Sequence, residues 1–158
     1  MTVAGCGGGG SSPTNTPTPG PPFPNVRGAY FGQLFISEVV TARTTCSGTL
    51  TINTQTQDRF SGSFIQQSCQ TNFGGPAPPV SGNVIDGIVR PDSGVTFNLN
   101  VPGSVPTLPP GCKVTGGQAL LNGAVIGNTL QASRTTQYDC GPVVGSFMGI
   151  LRIQGTRP

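Results

Sequence analysis

The chain has 158 residues, enough for one domain with a single core once a tail is set aside. Charged residues are 8% of it, and the net charge of +3 is spread thinly, with no basic cluster that would follow a phosphate backbone; nucleic acid is not an expected partner. No run of about 18 apolar residues occurs, so no helix is expected to span a membrane, while 25 Gly, 16 Pro and a wealth of Thr, Ser, Asn and Gln favour strands over helices.

In chain order, residues 3–10 read VAGCGGGG and run on as SSPTNTPTPGPP. A Gly/Ser run followed by a Pro/Thr run buries too little apolar surface to fold and behaves as a linker. Val3-Ala4-Gly5-Cys6 resembles the lipobox of bacterial lipoproteins, in which a small residue precedes a cysteine that becomes the acylated first residue, with a tether directly after it. The resemblance implies lipidation at Cys6, the membrane as a partner through that anchor, and a cell-envelope location. Gly7, where some lineages place an acidic residue that retains lipoproteins at the inner membrane, implies the outer membrane. Only MTVAG precedes Cys6, too little for the basic and apolar regions of a secretory signal, so the true start is expected upstream. The alternative is that Cys6 is an ordinary exposed thiol. The expected organisation is residues 1–6 as the remnant of signal and lipobox, 7–26 as a tether and 27–158 as a β domain. Such a tether holds the domain roughly 20–40 Å from its anchor.

Eight candidate strands follow, at 27–40, 44–54, 59–67, 80–90, 94–101, 118–125, 129–138 and 144–154, joined mostly by short turn-like stretches. The first, RGAYFGQLFISEVVTA, resembles the opening strand of the avidin and streptavidin family, with lipocalins in the wider calycin group opening similarly. Gly28, Tyr30, Phe31, Gln33 and Leu34 stand where that family has Gly-x-Trp, an aromatic and Gln-Leu. The resemblance implies an eight-stranded barrel. Tyr30 replaces the Trp, the chain contains no Trp, and Gly32 takes the place of a polar ligand contact, so biotin binding is not carried over.

Later strands speak for themselves. Leu50 and Ile52 are expected to face inward with Phe60 and Phe64 across a hairpin turned at QTQD. VTFNLNV alternates cleanly, with Val95, Phe97, Leu99 and Val101 on one face, after a turn at RPDSG in which Asp92 can bond nearby backbone. Phe147, Leu151 and Ile153 make the buried row of the last strand. Glycine recurs inside strands, at Gly28, Gly32, Gly48, Gly62, Gly82, Gly87, Gly123, Gly145 and Gly149. Each weakens a flat strand, so their repetition suggests sharp bends or close backbone approach, as closure into a barrel requires. The expected fold is all-β, an eight-stranded antiparallel up-and-down meander closed into a small barrel. A two-sheet sandwich is the alternative.

Cys46, Cys69, Cys112 and Cys140 form an even set within the folding region, with 22, 42 and 27 intervening residues, no C-x-x-C pair and no His. Disulfides in an oxidising compartment are expected, and no metal site. Placement about the turns favours the pairs Cys46–Cys69 and Cys112–Cys140 among three connectivities. If Leu50 opposes Phe64, however, Cys46 opposes Ser68, so the first bridge requires a bulge or a strand end.

Chemistry is sparse. Without His, the acid/base candidates are five carboxylates, one Lys and two Tyr. Asp86 in VIDGIV and Glu38 in FISEVV interrupt apolar runs, but outward-facing carboxylates opposite arginines are the simpler reading, and Asp139 in YDCGP reads as a turn. No catalytic residue and no cofactor are expected. The expected function is a non-catalytic envelope lipoprotein whose barrel mouth takes a small apolar or amphipathic ligand, with Tyr30, Phe64, Phe97 and Phe147 as the aromatic contacts. The alternative is a structural or protein-interaction domain with a filled barrel. The proline-rich connections at 73–80 and 102–111 would then present a surface or cap one end.

Overall fold

The structure, a computed structural model, describes residues 1, 22–39, 42–72, 76–77, 79–101 and 112–158. Cys6, most of the expected tether, the connection 102–111 and part of the connection 73–80 lie outside these. The described residues form strands β1 (Gly28–Val39), β2 (Ala42–Thr56), β3 (Arg59–Thr71), β4 (Pro76–Ala77), β5 (Ser81–Val89), β6 (Gly94–Asn100), β7 (Lys113–Gly117), β8 (Leu121–Ile126) and β9 (Thr129–Asp139). A short helix α1 (Gly141–Val144) and the last strand β10 (Ser146–Thr156) complete the chain.

Eight antiparallel strands close into a barrel in the order β1-β2-β3-β5-β6-β8-β9-β10, with β10 pairing back onto β1. The sandwich alternative is thereby set aside. All eight expected strands are present, displaced by no more than a few residues at their ends. Two pieces lie off the ring: β4 pairs with β3, and β7 pairs with β9 beyond the point where β8 has ended. Residues 141–144, the last of them expected to open the final strand, instead turn through α1.

The β2–β3 pair resolves the register conflict. Leu50 opposes Phe64 and Cys46 opposes Cys69, and both hold because the partner of Gly48 is Gln66 while that of Ser47 is Ser68. Gln67 is the extra residue of a bulge, and the bulge brings both cysteines onto the inner face, where they are buried and bonded. Cys112 and Cys140 form the second bridge.

Alternation then fills the barrel. Tyr30, Leu50, Ile52, Phe60, Phe64, Val84, Val95, Phe97, Leu121, Leu130 and Ile153 all belong to one buried cluster. Phe60 and Phe97 meet with ring centroids 5.9 Å apart and planes tilted by 59°, an edge-to-face type of contact that adds to the apolar area removed from water. An eight-stranded barrel has an interior just wide enough for such side chains.

One end is plugged by the segment before β1. Val26, assigned to the tether by sequence, is fully buried. Its N–H donates to Gln55 Oε1 at 2.8 Å, its carbonyl accepts the Tyr30 hydroxyl at 2.8 Å, and Gln55 Nε2 donates to Pro24 O at 2.9 Å. Arg157 Nη1 donates to the carbonyls of Arg27 at 2.8 Å and Asn25 at 3.2 Å. Gln55 lies 29 residues from Val26, and Arg157 lies 132 residues from Asn25, which is why composition alone places Val26 in the linker.

The turns at QTQD and RPDSG sit where the sequence puts them. Thr56 pairs with Arg59 across Gln57 and Asp58, with Gln57 at φ 55°, and Asp92 Oδ1 accepts the Gly94 N–H at 3.0 Å. That bond, followed by the Arg90 guanidinium, holds the Asp92 carboxyl below its usual range.

Interior glycines answer to close approach. A Cβ built at Gly62 runs into the carbonyl oxygen of Thr51 on β2, and one at Gly123 into that of Gln131 on β9. At these points neighbouring main chains pinch together as the sheet coils into a ring. Gly62→Ala is expected to destabilise the fold by about 3 kcal/mol, since backbone must move, read as a lower urea midpoint with an unchanged slope.

Tyr30 gives a second test. Burial raises its phenol above the ordinary 10.0, opposed in part by the Arg157 guanidinium 5.7 Å from the ring centroid. With the folded value raised, the unfolded chain loses the proton first. The associated stability is intact below about pH 10 and is lost as pH climbs through the folded value. Tyr30→Phe is expected to cost about 1 kcal/mol near neutrality, from the lost bond to Val26. It should also make stability fall less steeply above about pH 10, measured by urea unfolding across that range.

Candidate functional site

Three of the four expected ligand contacts are core residues. Tyr30 and Phe97 are 0% exposed and Phe64 is 2% exposed, so neighbouring side chains already cover their surfaces. Phe147 lies at the opposite end from the plug, half-buried and stacked on Tyr138, with centroids 5.2 Å apart and planes 23° from parallel. Sequence reasoning did not single out Tyr138.

This loop end is built by β9 and β10. Their register sets Arg134 opposite Leu151, Thr136 opposite Gly149 and Tyr138 opposite Phe147. On its other edge β9 pairs with β8 only as far as Ser133, then with β7 from Thr136 onward. Arg134 bridges the interval, its Nη1 donating to Asn98 Oδ1 of β6 at 3.2 Å. Asp139 accepts the Gly141 N–H at 3.0 Å and lies 3.7 Å from Lys113 Nζ, so the expected turn at YDCGP forms with an ion pair beside it.

Two depressions lie on the outside of the barrel. One depression of about 310 Å³ is lined by Thr54, Arg59, Ser61 and Asp86, among others. Asp86 is exposed there, at φ 55°, within the irregular register between Ile85 and Ile88 of the β5–β6 pair. Short polar residues tolerate this left-handed conformation, and a bulge supplies the need for it. Glu38 pairs through its backbone with Arg43 and Ile150, and its side chain lies outside the described residues.

The larger depression, about 440 Å³, crosses β8, β9 and β10. In these strands Leu121, Val125, Leu130, Ala132 and Ile153 are buried inside the barrel. Their neighbours Asn122, Gln131, Ser133, Arg152 and Gln154 therefore point outward and make the walls. The pinch at Gly123 draws the β8 and β9 main chains together beneath, and the short side chains of Ala124 and Ser133 leave the space above them open. Alternation in LNGAVI, TLQASR and LRIQG signals that these polar residues face outward; that they converge depends on strand neighbours the sequence does not declare. No group of three or more metal-ligating side chains assembles among the described residues.

Both bridges lie toward the loop end but differ in access. Cys46 and Cys69 are 3% and 4% exposed, whereas Cys112 and Cys140 are half-buried. Thiol–disulfide exchange requires a thiolate to reach sulfur. Limiting reductant is expected to open Cys112–Cys140 about tenfold or more faster than Cys46–Cys69, read by alkylation and peptide mapping. Amide exchange should then rise in β7, which among the described strands pairs only with β9, while β2 and β3 stay protected.

Comparison with protein-family models, curated proteins and solved structures finds no match to this chain.

Proposed function

We propose that the chain is a non-catalytic envelope lipoprotein, anchored through lipid on Cys6 and facing its surroundings with the outer wall of a filled barrel. The observation that carries the second half is the packing of Tyr30, Phe64 and Phe97, whose rings occupy the space a barrel ligand would need. Support for the first half is the VAGC sequence, the Gly/Pro/Thr-rich stretch after it and the two disulfides, which suit an oxidising compartment. Absence of an acidic residue at Gly7 favours the outer membrane over the inner.

A second reading is favoured by one observation, the half-buried Tyr138–Phe147 stack at the loop end. An apolar molecule lying against that pair would make the domain a small-ligand carrier. An environment-sensitive apolar dye separates the two readings: the filled barrel predicts no enhancement and no shift in melting temperature, and the carrier predicts both.

Intact mass of protein expressed from an upstream-extended gene tests the anchor. Expected are a diacylglycerol-sized addition on Cys6 and a gain of about 4 Da on reduction, two hydrogens for each bridge. An unmodified chain with free thiols overturns both the anchor and the compartment.

A further inference from the structure

We propose that the groove over β8, β9 and β10 binds a short acidic oligosaccharide. Asn122, Gln131, Ser133 and Gln154 would hold its hydroxyls, and Arg152 an anionic substituent. The inference rests on the reading that the barrel acts through its outer wall.

Strand register sets Arg152, Ser133 and Asn122 in one lateral row and Gln154, Gln131 and Ala124 in the next. Adjacent strands stand roughly 4.8 Å apart and successive outward residues of a strand roughly 6.6 Å apart, so the groove offers polar groups on a grid of that spacing. Each side-chain amide presents donors and an acceptor in one plane, which suits vicinal hydroxyls that both donate and accept. The guanidinium of Arg152 presents donors only, in a fork that matches a carboxylate.

Charge narrows the class. No acidic residue lines the groove, and Arg152 makes no ion pair among the described residues. An anion therefore meets one cation and no acidic side chain among the residues that line the groove. Gln131, Ser133, Arg152 and Gln154 have no side-chain hydrogen-bond partner among the described residues, so a ligand displaces only water. Asn122 Nδ2 donates to Leu120 O at 3.1 Å, which fixes the amide and leaves its oxygen free to accept. Ile126, 73% exposed at one end of the groove, supplies an apolar surface for the C–H face of a sugar ring.

The test is a titration of the ¹⁵N-labelled full chain with trigalacturonate, with cellotriose as the neutral sugar and with glutarate as the bare anion. Trigalacturonate is expected to shift amides of the groove strands. Arg152→Gln should weaken it by about tenfold and Gln131→Leu by a smaller factor, whereas Arg59→Gln, in the other outer depression, should leave it unchanged. Well-dispersed spectra of each variant show that it folds.

Silence of the groove toward trigalacturonate overturns the proposal. So does equal binding of glutarate, which would mean an adventitious ion only, or of cellotriose, which would remove the role of Arg152. Shifts confined to Tyr138 and Phe147 would overturn the outer-wall reading itself, a result distinct from a silent groove.

Discussion

The structure depends on one strand being paired along both edges. β1 is hydrogen-bonded to β2 on one side and to β10, the end of the chain, on the other, and this double pairing turns a meander into a ring. Closure removes the free edges of the eight ring strands along their paired length. It also fixes the interior volume. With eight strands that volume is small, and four aromatic rings with their aliphatic neighbours occupy it. Closure has a local cost as well: coiling brings main chains together at Gly62 and Gly123 more closely than any side chain permits.

The packed interior bears on the proposed use of the outer wall. Tyr30 cannot serve both as the residue that locks the plug through Val26 and as a wall of a ligand cavity. The walls that remain free are outside, where a charge-poor surface of amides and hydroxyls is shaped by the same pinches that close the ring. The groove over β8 to β10 lies at one such pinch, where Gly123 lets the β8 and β9 main chains approach.

Much of this was legible in the residues. Strict alternation in VTFNLNV, the turn chemistry of RPDSG and the repetition of glycine inside strands lead to the ring and its inner face. The conflict between the Leu50–Phe64 register and a Cys46–Cys69 bridge even calls for the bulge found at Gln67. What stayed hidden has long-range causes. Val26 follows proline and asparagine and precedes arginine, so its immediate neighbours do not mark it as core; Gln55 bonds it from 29 residues away, and Arg157 ties down the carbonyls of Asn25 and Arg27 on either side. β7, sequence KVTGG, lacks apolar alternation and ends in two glycines, and it is a strand only because β9 extends beyond β8 and Cys112 is tied to Cys140. The groove needs three strands side by side, an order no single segment contains.

The barrel is closed and carries two disulfides. The central claim is that the barrel has no room inside, and a crystal of the protein held under xenon pressure tests it most directly, because xenon enters dry apolar cavities that other ligands miss. The account predicts no xenon density on the barrel axis among Tyr30, Phe64 and Phe97. An ordered xenon atom there would contradict it and return the function of the domain to its interior.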